Sequence, residues 1–495
     1  MSRNRILLVT AGIMLSLFLA SMESTVVATA MPTIVGQLGG LEHYSWVFSA
    51  YMLASTTTVP LYGKLSDLYG RRRLYIFAMA LFLAGSVLSG LARSMGGLIA
   101  ARTLQGIGAG GVLPLAFILI GEMFSLAQRA KMQGFFSGVW GVSSIIGPLL
   151  GGFLVDQLSW RWVFFINLVP GVLAASLVGF AWRDHPHTHE RPAVDYAGAA
   201  LLSASVVALL LGLVEIGSIS SWILIGAALL LFLALLWVEG RAPDPILPVH
   251  LFRDRLFATA VVHGVLTGWA MFGSVSFFPL FVQSVLGTSA TQAGITITPM
   301  LLGWVSASIV GMRLLMRVGF RLLGLVGTAT LAVGAFLLTS VGANSSQAVM
   351  MVFVALMGIG MGLSIPSFLV AVQTSVERRY LGTATSTLQF SRSIGGTLGV
   401  SVMGAALSIR LAANLSAAGL DPGIVTQLLD PIASLNTTLS ADAGLAMANA
   451  MHTVFVVAFV ASLLGLFAAF FAPQRELKET ASVPPEGDRP FISAD

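Results

Sequence analysis

Apolar runs of about 20 residues, long enough to cross a bilayer as a helix, recur along the whole chain. Fourteen are predicted, at roughly 6–30, 44–63, 74–92, 98–121, 132–155, 162–182, 196–217, 221–239, 257–286, 291–312, 322–342, 347–374, 382–407 and 447–472. The pattern predicts an all-α membrane protein. Its positive residues set the orientation, because short cytoplasmic loops collect Lys and Arg. Loops on the outer side hold only Arg93, Arg161 and Arg410, and the spans hold Arg102 and Arg392. Every other Lys and Arg falls on the inner side, so both termini are expected in the cytoplasm.

The pattern repeats internally. Span 4 carries Gly106, Gly108, Gly110 and Pro114, and span 12 carries Gly358, Gly360, Gly362 and Pro366 at the same spacing. Ile146-Gly147-Pro148 through Gly151 in span 5 matches Ile394-Gly395-Gly396 through Gly399 in span 13. A shift of eight spans predicts two pseudo-symmetric six-helix bundles plus two inserted helices. The expected division is a first bundle over 1–182 and a linker with two inserted spans over 183–256. A second bundle over 257–472 and a disordered cytoplasmic tail over 473–495 complete it. Parallel repeats about a central path are typical of transporters; the alternative is chance similarity between Gly-rich helices.

Composition narrows the function. Of 495 residues, 56% are hydrophobic and 9% charged, against about 25% charged in a soluble domain. The absence of cysteine excludes disulfides and thiolate metal sites. The net charge of +5 is spread over short loops, which argues against a nucleic-acid partner. The N-terminal run is too long for a cleavable signal peptide. No nucleophile–base pair or soluble domain suggests an enzyme, and no obligate protein partner is evident. Gly106 to Gly111 lies inside a span, so it is not a dinucleotide loop, and no Walker-type phosphate cradle occurs. An ion gradient, with no cofactor, is the simpler energy source. His185, His187 and His189 are either a metal site or solvated loop residues; no metal is expected.

The chemistry is carried by few residues. Glu23 lies deep in span 1, where a carboxylate is costly and therefore a functional candidate. Arg102 in span 4 falls at a similar depth, so the two could share an aqueous pocket. The alternatives are a buried protonated hydrogen bond for Glu23 and snorkelling for Arg102. Arg392 in span 13, with Gln389 near it, either lines a cavity or snorkels back to the cytoplasm. Trp46, Tyr51, Trp269, Phe272 and Phe277 are candidate cavity walls, or they face lipid and neighbouring helices. His263 and Glu215 are weaker candidates expected near span ends. Between spans 2 and 3, Gly63-Lys-Leu-Ser-Asp67-Leu-Tyr-Gly70-Arg71-Arg72 places a tight turn at Gly70. Asp67 can pair there with the following arginines or with the N-terminus of a neighbouring helix. Such a turn can latch two bundles together; the plainer reading is an ordinary positive loop. In span 5, Gly147-Pro148 can kink a helix, and Gly147 with Gly151 forms a small-xxx-small face.

These motifs together resemble the major facilitator superfamily. The 63–73 loop is similar to its signature loop. Arg102 to Gly106 is similar to its membrane-arginine motif. Gly138, then Gly147-Pro148-Leu-Leu-Gly151-Gly152, resembles the motif of its drug:proton antiporter branch. Glu23 with Pro32, and Trp160-Arg161-Trp162 with Asn167 and Pro170, look like the subgroup with fourteen spans. That subgroup usually carries aspartate where Glu23 stands. The counterpart of the 63–73 loop, near Gly311 to Arg321, has Leu315 in place of the acid. The resemblance implies a proton-coupled exporter of amphipathic drugs in the bacterial inner membrane. Glu23 as a shared proton and cation site suggests cationic substrates; a lipid or metabolite exporter and a non-transporting sensor are the alternatives.

Overall fold

A computed structural model describes residues 2–39, 44–124, 126–183, 195–214, 218–242, 245, 249–288, 290–342, 344–417 and 441–474. Among them every long element is a helix: α1 Arg3–Leu38, α2 Tyr44–Tyr69, α3 Arg71–Gly90, α4 Met95–Met123, α5 Leu126–Gln157, α6 Trp162–Phe165, α7 Leu168–Ala181, α8 Tyr196–Val214, α9 Ile219–Glu239, α10 Arg255–Ser284, α11 Ala290–Thr339, α12 Gln347–Ser375, α13 Leu381–Ala417 and α14 Ala441–Phe470. Eleven helices are long and apolar enough to cross a membrane. The protein is thus an all-helical, multi-pass membrane protein. The helix in span 13 continues to Ala417 and the last begins at Ala441, so the predicted 408–446 loop shrinks from both sides. His185, His187, His189, Glu215 and the tail from 475 lie outside the described residues.

Small residues decide how the helices meet. Gly106 and Gly110 of α4 abut the backbone of α2 at Tyr51 and Ser55, while Gly108 abuts α3 at Phe82. Gly358 and Gly362 of α12 likewise abut Met300 and Trp304 in the first part of α11, and Gly360 abuts Leu331 in its second part. A Cβ at any of these glycines would collide with neighbouring backbone, the close crossing that small residues permit between membrane helices. The repeat read from the sequence is therefore a packing repeat. One helix is wedged between two predecessors in each half. α11 turns at Gly319, whose φ of 78° suits glycine. Gly70, with φ of 95°, makes the corresponding turn between α2 and α3.

Helices α1 to α7 pack among themselves, as do α10 to α14. Between the two sets, α2 meets α13 and α5 meets α11. The α8–α9 hairpin leans on that first seam: Leu202, Val206 and Leu210 cluster with Leu53 and Leu61 of α2 and with Phe390 and Ile394 of α13.

Candidate functional site: a buried charge ring, an interhelical latch and a central cleft

Glu23, Ser86, Arg102, Gln105 and Asn167 come from four separate stretches of chain and close into one ring. Arg102 Nη1 forms an ion pair with Glu23 Oε1 and donates to Gln105 Oε1 at 2.7 Å. Gln105 Nε2 donates to Ser86 Oγ at 3.2 Å. Asn167 Nδ2 donates to the same hydroxyl at 2.9 Å and to Glu23 Oε2 at 2.6 Å. All five are at most 1% exposed. Gly85 lets α3 press against the Gln105 backbone, which brings Ser86 within reach. Arg102 also donates Nε to the Val47 carbonyl at 3.4 Å, and its guanidinium lies 4.2 Å from the centre of the Tyr51 ring. Tyr51 therefore belongs to this site and not to a cavity wall.

Two expectations change here. Glu23 and Arg102 do meet, but in direct contact, without an aqueous pocket between them. Glu23 also has fixed partners, so in this conformation it is not a free carboxylate offered to a cation. Desolvating both charges is affordable only because each is paired and hydrogen bonded. Removing one partner of such a pair costs about 3–5 kcal/mol, while replacing both with neutral groups costs far less. Arg102→Met should therefore lower thermal stability in detergent sharply. Arg102→Met with Glu23→Gln should recover most of the loss. A double variant destabilised by the full sum of the two single changes would show that the pair carries no coupling energy.

The turn after α2 forms a second polar site. Asp67 pairs with Arg71 at 2.5 Å, and Arg71 reaches Glu122 of α4 at 3.3 Å. Asp67 also accepts from the first turn of α13: Gly382 N at 3.2 Å, Thr383 N at 2.9 Å and Thr383 Oγ1 at 2.9 Å. Both partners proposed from the sequence are thus used at once. The free N–H groups and dipole of a helix N-terminus favour such an anion. Gly63 makes the approach possible, since a Cβ there would collide with Ser386. Hydrogen bonds between the two sets gather at this end. Gln373 Nε2 of α12 donates to the Phe117 carbonyl at 3.3 Å, and Arg129 Nη1 donates to the Gln373 carbonyl at 3.3 Å. Arg72 is exposed, while Arg71 is buried. At the counterpart turn Leu315 is 1% exposed, an apolar plug where the first half has its acid.

Between the sets lies a narrow cleft. Phe117, Phe136, Trp140 and Gly141 line one side; Met271, Phe272, Leu301, Trp304, Val305, Ile365, Pro366 and Arg392 line the other. Arg392 therefore lines a cavity and does not snorkel away. A smaller adjoining pocket brings Gln389 and His263 beside it. His263 is buried within α10 and not at a span end, with Nε2 at 2.8 Å from Thr328 Oγ1. Trp46, Trp269 and Phe277 are absent from the lining of the cleft. Trp269 packs against Gly399, and Phe277 approaches Gly404. Trp140 and Trp304 were missed by sequence reading. Their rings approach to 6.4 Å between centroids, but hydropathy does not separate a cleft-facing tryptophan from a lipid-facing one.

The span 5 motif is placed on α5. Gly147 and Gly151 are buried. A Cβ on Gly138 or Gly152 would meet nothing within 4 Å, so neither is a close-contact point here. The side chain of Pro148 lies outside the described residues.

Comparison with known proteins agrees with this architecture. Residues 13–400 match the Major Facilitator Superfamily. The chain is 40% identical over 413 residues to the Multidrug transporter protein MdtP of Bacillus subtilis, covering 82% of this chain and 76% of that protein. It is 38% identical to Multidrug resistance protein 3 of the same organism, covering 80% and 78%. Among solved structures, it resembles the proton:xylose symporter XylE with a TM-score of 0.65 at 13% identity, covering 96% and 97%. It resembles the human organic anion transporter MFSD10 with a TM-score of 0.63 at 15% identity, covering 94% and 99%. These two likenesses concern the fold alone. With the matched region spanning both halves, and with relatives at 40% identity, the chain belongs to the Major Facilitator Superfamily.

Proposed function

We propose that this protein is a proton-coupled antiporter that exports amphipathic small molecules across the bacterial cytoplasmic membrane by alternating access. The observation that carries the reading is the buried ring around Glu23, set apart from the cleft between the two halves. A proton taken up by Glu23 removes the charge that Arg102 pairs with. Arg102 then keeps Gln105, Val47 and the Tyr51 ring, and the tie between α1 and α4 loosens. Asn167 Oδ1 is buried without a partner among the described residues. It is an acceptor on the same amide that already holds Glu23, ready for a carboxylic O–H. Protonation thus changes how α1 is held within the first bundle. The second half, packed on it through α2–α13 and α5–α11, responds by rocking. The relatives named as multidrug transporters support a broad amphipathic substrate range.

The spans are counted as fourteen in this reading. To the eleven apolar helices it adds the more polar α2 and α5, and it divides α11 at Gly319. Residues 1–182 and 257–472 are then the two six-helix bundles, with α8 and α9 inserted between them and both termini cytoplasmic. The Asp67 end is the cytoplasmic side, and its interhelical bonds describe the form closed to the cytoplasm.

The test is transport by the purified protein in proteoliposomes under an imposed pH gradient, with a panel of cationic, neutral and anionic amphipaths. Movement of at least one class that stops when the gradient is dissipated is expected. If nothing moves, or if movement ignores the gradient, the antiporter reading falls.

A further inference from the structure

Arg392 presents a cation to the central cleft, and that cation is unmatched. Among the described residues it makes no hydrogen bond or ion pair. No acid stands among the residues lining the cleft or the pocket beside it. The side chain is half-buried and sits about 16 Å along α13 from the first residue of that helix. Its position is fixed by packing. Gly268 of α10 presses on the Arg392 carbonyl, and Gly395 and Gly396 bring α13 against Val265 and Phe272 of α10. With that face occupied, the guanidinium is left to face the cleft. A charge held at membrane depth without a partner is costly. A fixed fork of five N–H donors is well suited to a carboxylate, sulfonate or phosphate. Around it the walls are aromatic: Trp140, Trp304, Phe117, Phe136 and Phe272.

Resting on the reading that this cleft carries the transported molecule, we infer that its substrates are amphipathic anions: a flat apolar body against the aromatic wall that includes Trp140 and Trp304, and an anionic group on Arg392. The acid that would attract a cation, Glu23, is absent from this lining and is neutralised by Arg102. Proton binding and substrate binding are then separate sites, one inside the first half and one between the halves, and they communicate through conformation rather than by competing for one charge.

The probes are pyrenesulfonate and pyrenemethylammonium, which share a ring system and differ in charge. Equilibrium binding is measured on the purified full-length protein against a detergent blank. The wild type should bind the sulfonate more tightly. Arg392→Gln should weaken sulfonate binding about 10- to 100-fold, the range for a lost charge-assisted hydrogen bond, and leave the ammonium probe unchanged or tighter. Arg392→Lys should keep part of the sulfonate affinity. Tighter ammonium binding by the wild type would overturn the proposal without any variant, as would unchanged sulfonate affinity in Arg392→Gln. Transport of both probes under a pH gradient separates this from the antiporter reading. Sulfonate binding that depends on Arg392, without movement of either probe, would uphold the anion site and sink gradient-driven export. Gradient-driven movement of the ammonium probe alone, with no sulfonate binding, would do the reverse.

Discussion

Glu23→Gln is expected to reduce gradient-driven transport to the level of empty vesicles while leaving the protein folded. The structure explains why the two effects separate. A glutamine amide has the same shape as the carboxylate, and its oxygen can still accept from Asn167 Nδ2 or Arg102 Nη1. Arg102 loses its counter-charge, at a cost in stability, but keeps Gln105, the Val47 carbonyl and the Tyr51 ring, so its N–H groups stay satisfied and the fold is retained. What the variant loses is the ability to exchange a proton. Downhill substrate movement without a pH gradient should survive in part, because the cleft and Arg392 lie elsewhere. Glu23→Asp should keep partial activity, since it retains the acid but shortens the reach to Arg102. Uptake with an imposed pH gradient and counterflow without one should be measured on the same preparation. Normal gradient-driven uptake by Glu23→Gln would move the coupling site off this ring.

Much of this site could be seen in the chain, but its closure could not. Glu23 and Arg102 stand out because charges at membrane depth are rare, and helix rise alone put them at one level. Gln105 and Asn167 lie in the motifs that suggested the family. Ser86 gave no signal, since a serine in an apolar span has no period of its own. It becomes a node only because Gly85 allows α3 to lie against α4. The same limit applies at Asp67. Its partner Arg71, four residues on and just past the Gly70 turn, is close at hand in the sequence; Gly382 and Thr383, more than 300 residues away, follow only from the packing of α2 on α13. The repeat was visible for the opposite reason. Glycines at fixed spacing mark close crossings, and those crossings recur in both halves. The cleft was the least accessible part. Of its lining, only Phe272 and Arg392 were anticipated, because which face of an all-apolar helix meets a cavity is decided by its neighbours and not by its own sequence.

Asp67→Asn should cut turnover severely while leaving substrate affinity close to wild type. Asp67 is not among the residues lining the cleft, so it is not expected to touch a bound molecule. Its carboxylate ties α2 to the first turn of α13 through two backbone N–H groups and one hydroxyl, and it neutralises Arg71. The amide has one oxygen to accept with and carries no charge. It therefore loses the ion pair and about half of the acceptor capacity. Hydrogen bonds to a charged group contribute about 1.5–3 kcal/mol each. Losing one or two of them shifts an equilibrium between two conformers by roughly 10- to 100-fold or more. The form closed at this end loses that stabilisation and the form open at this end does not, so the cycle spends its time on one side. Arg71 remains beside Glu122, which limits the damage to folding. Accessibility of a cysteine placed at Ser386, against the Gly63 face of α2, reads the shift directly. It should label faster in Asp67→Asn than in a background with Asp67 intact. A variant that labelled at the same rate and turned over normally at saturating substrate would leave Asp67 as an ordinary loop residue, and the latch would have to be sought at Gln373 and Arg129.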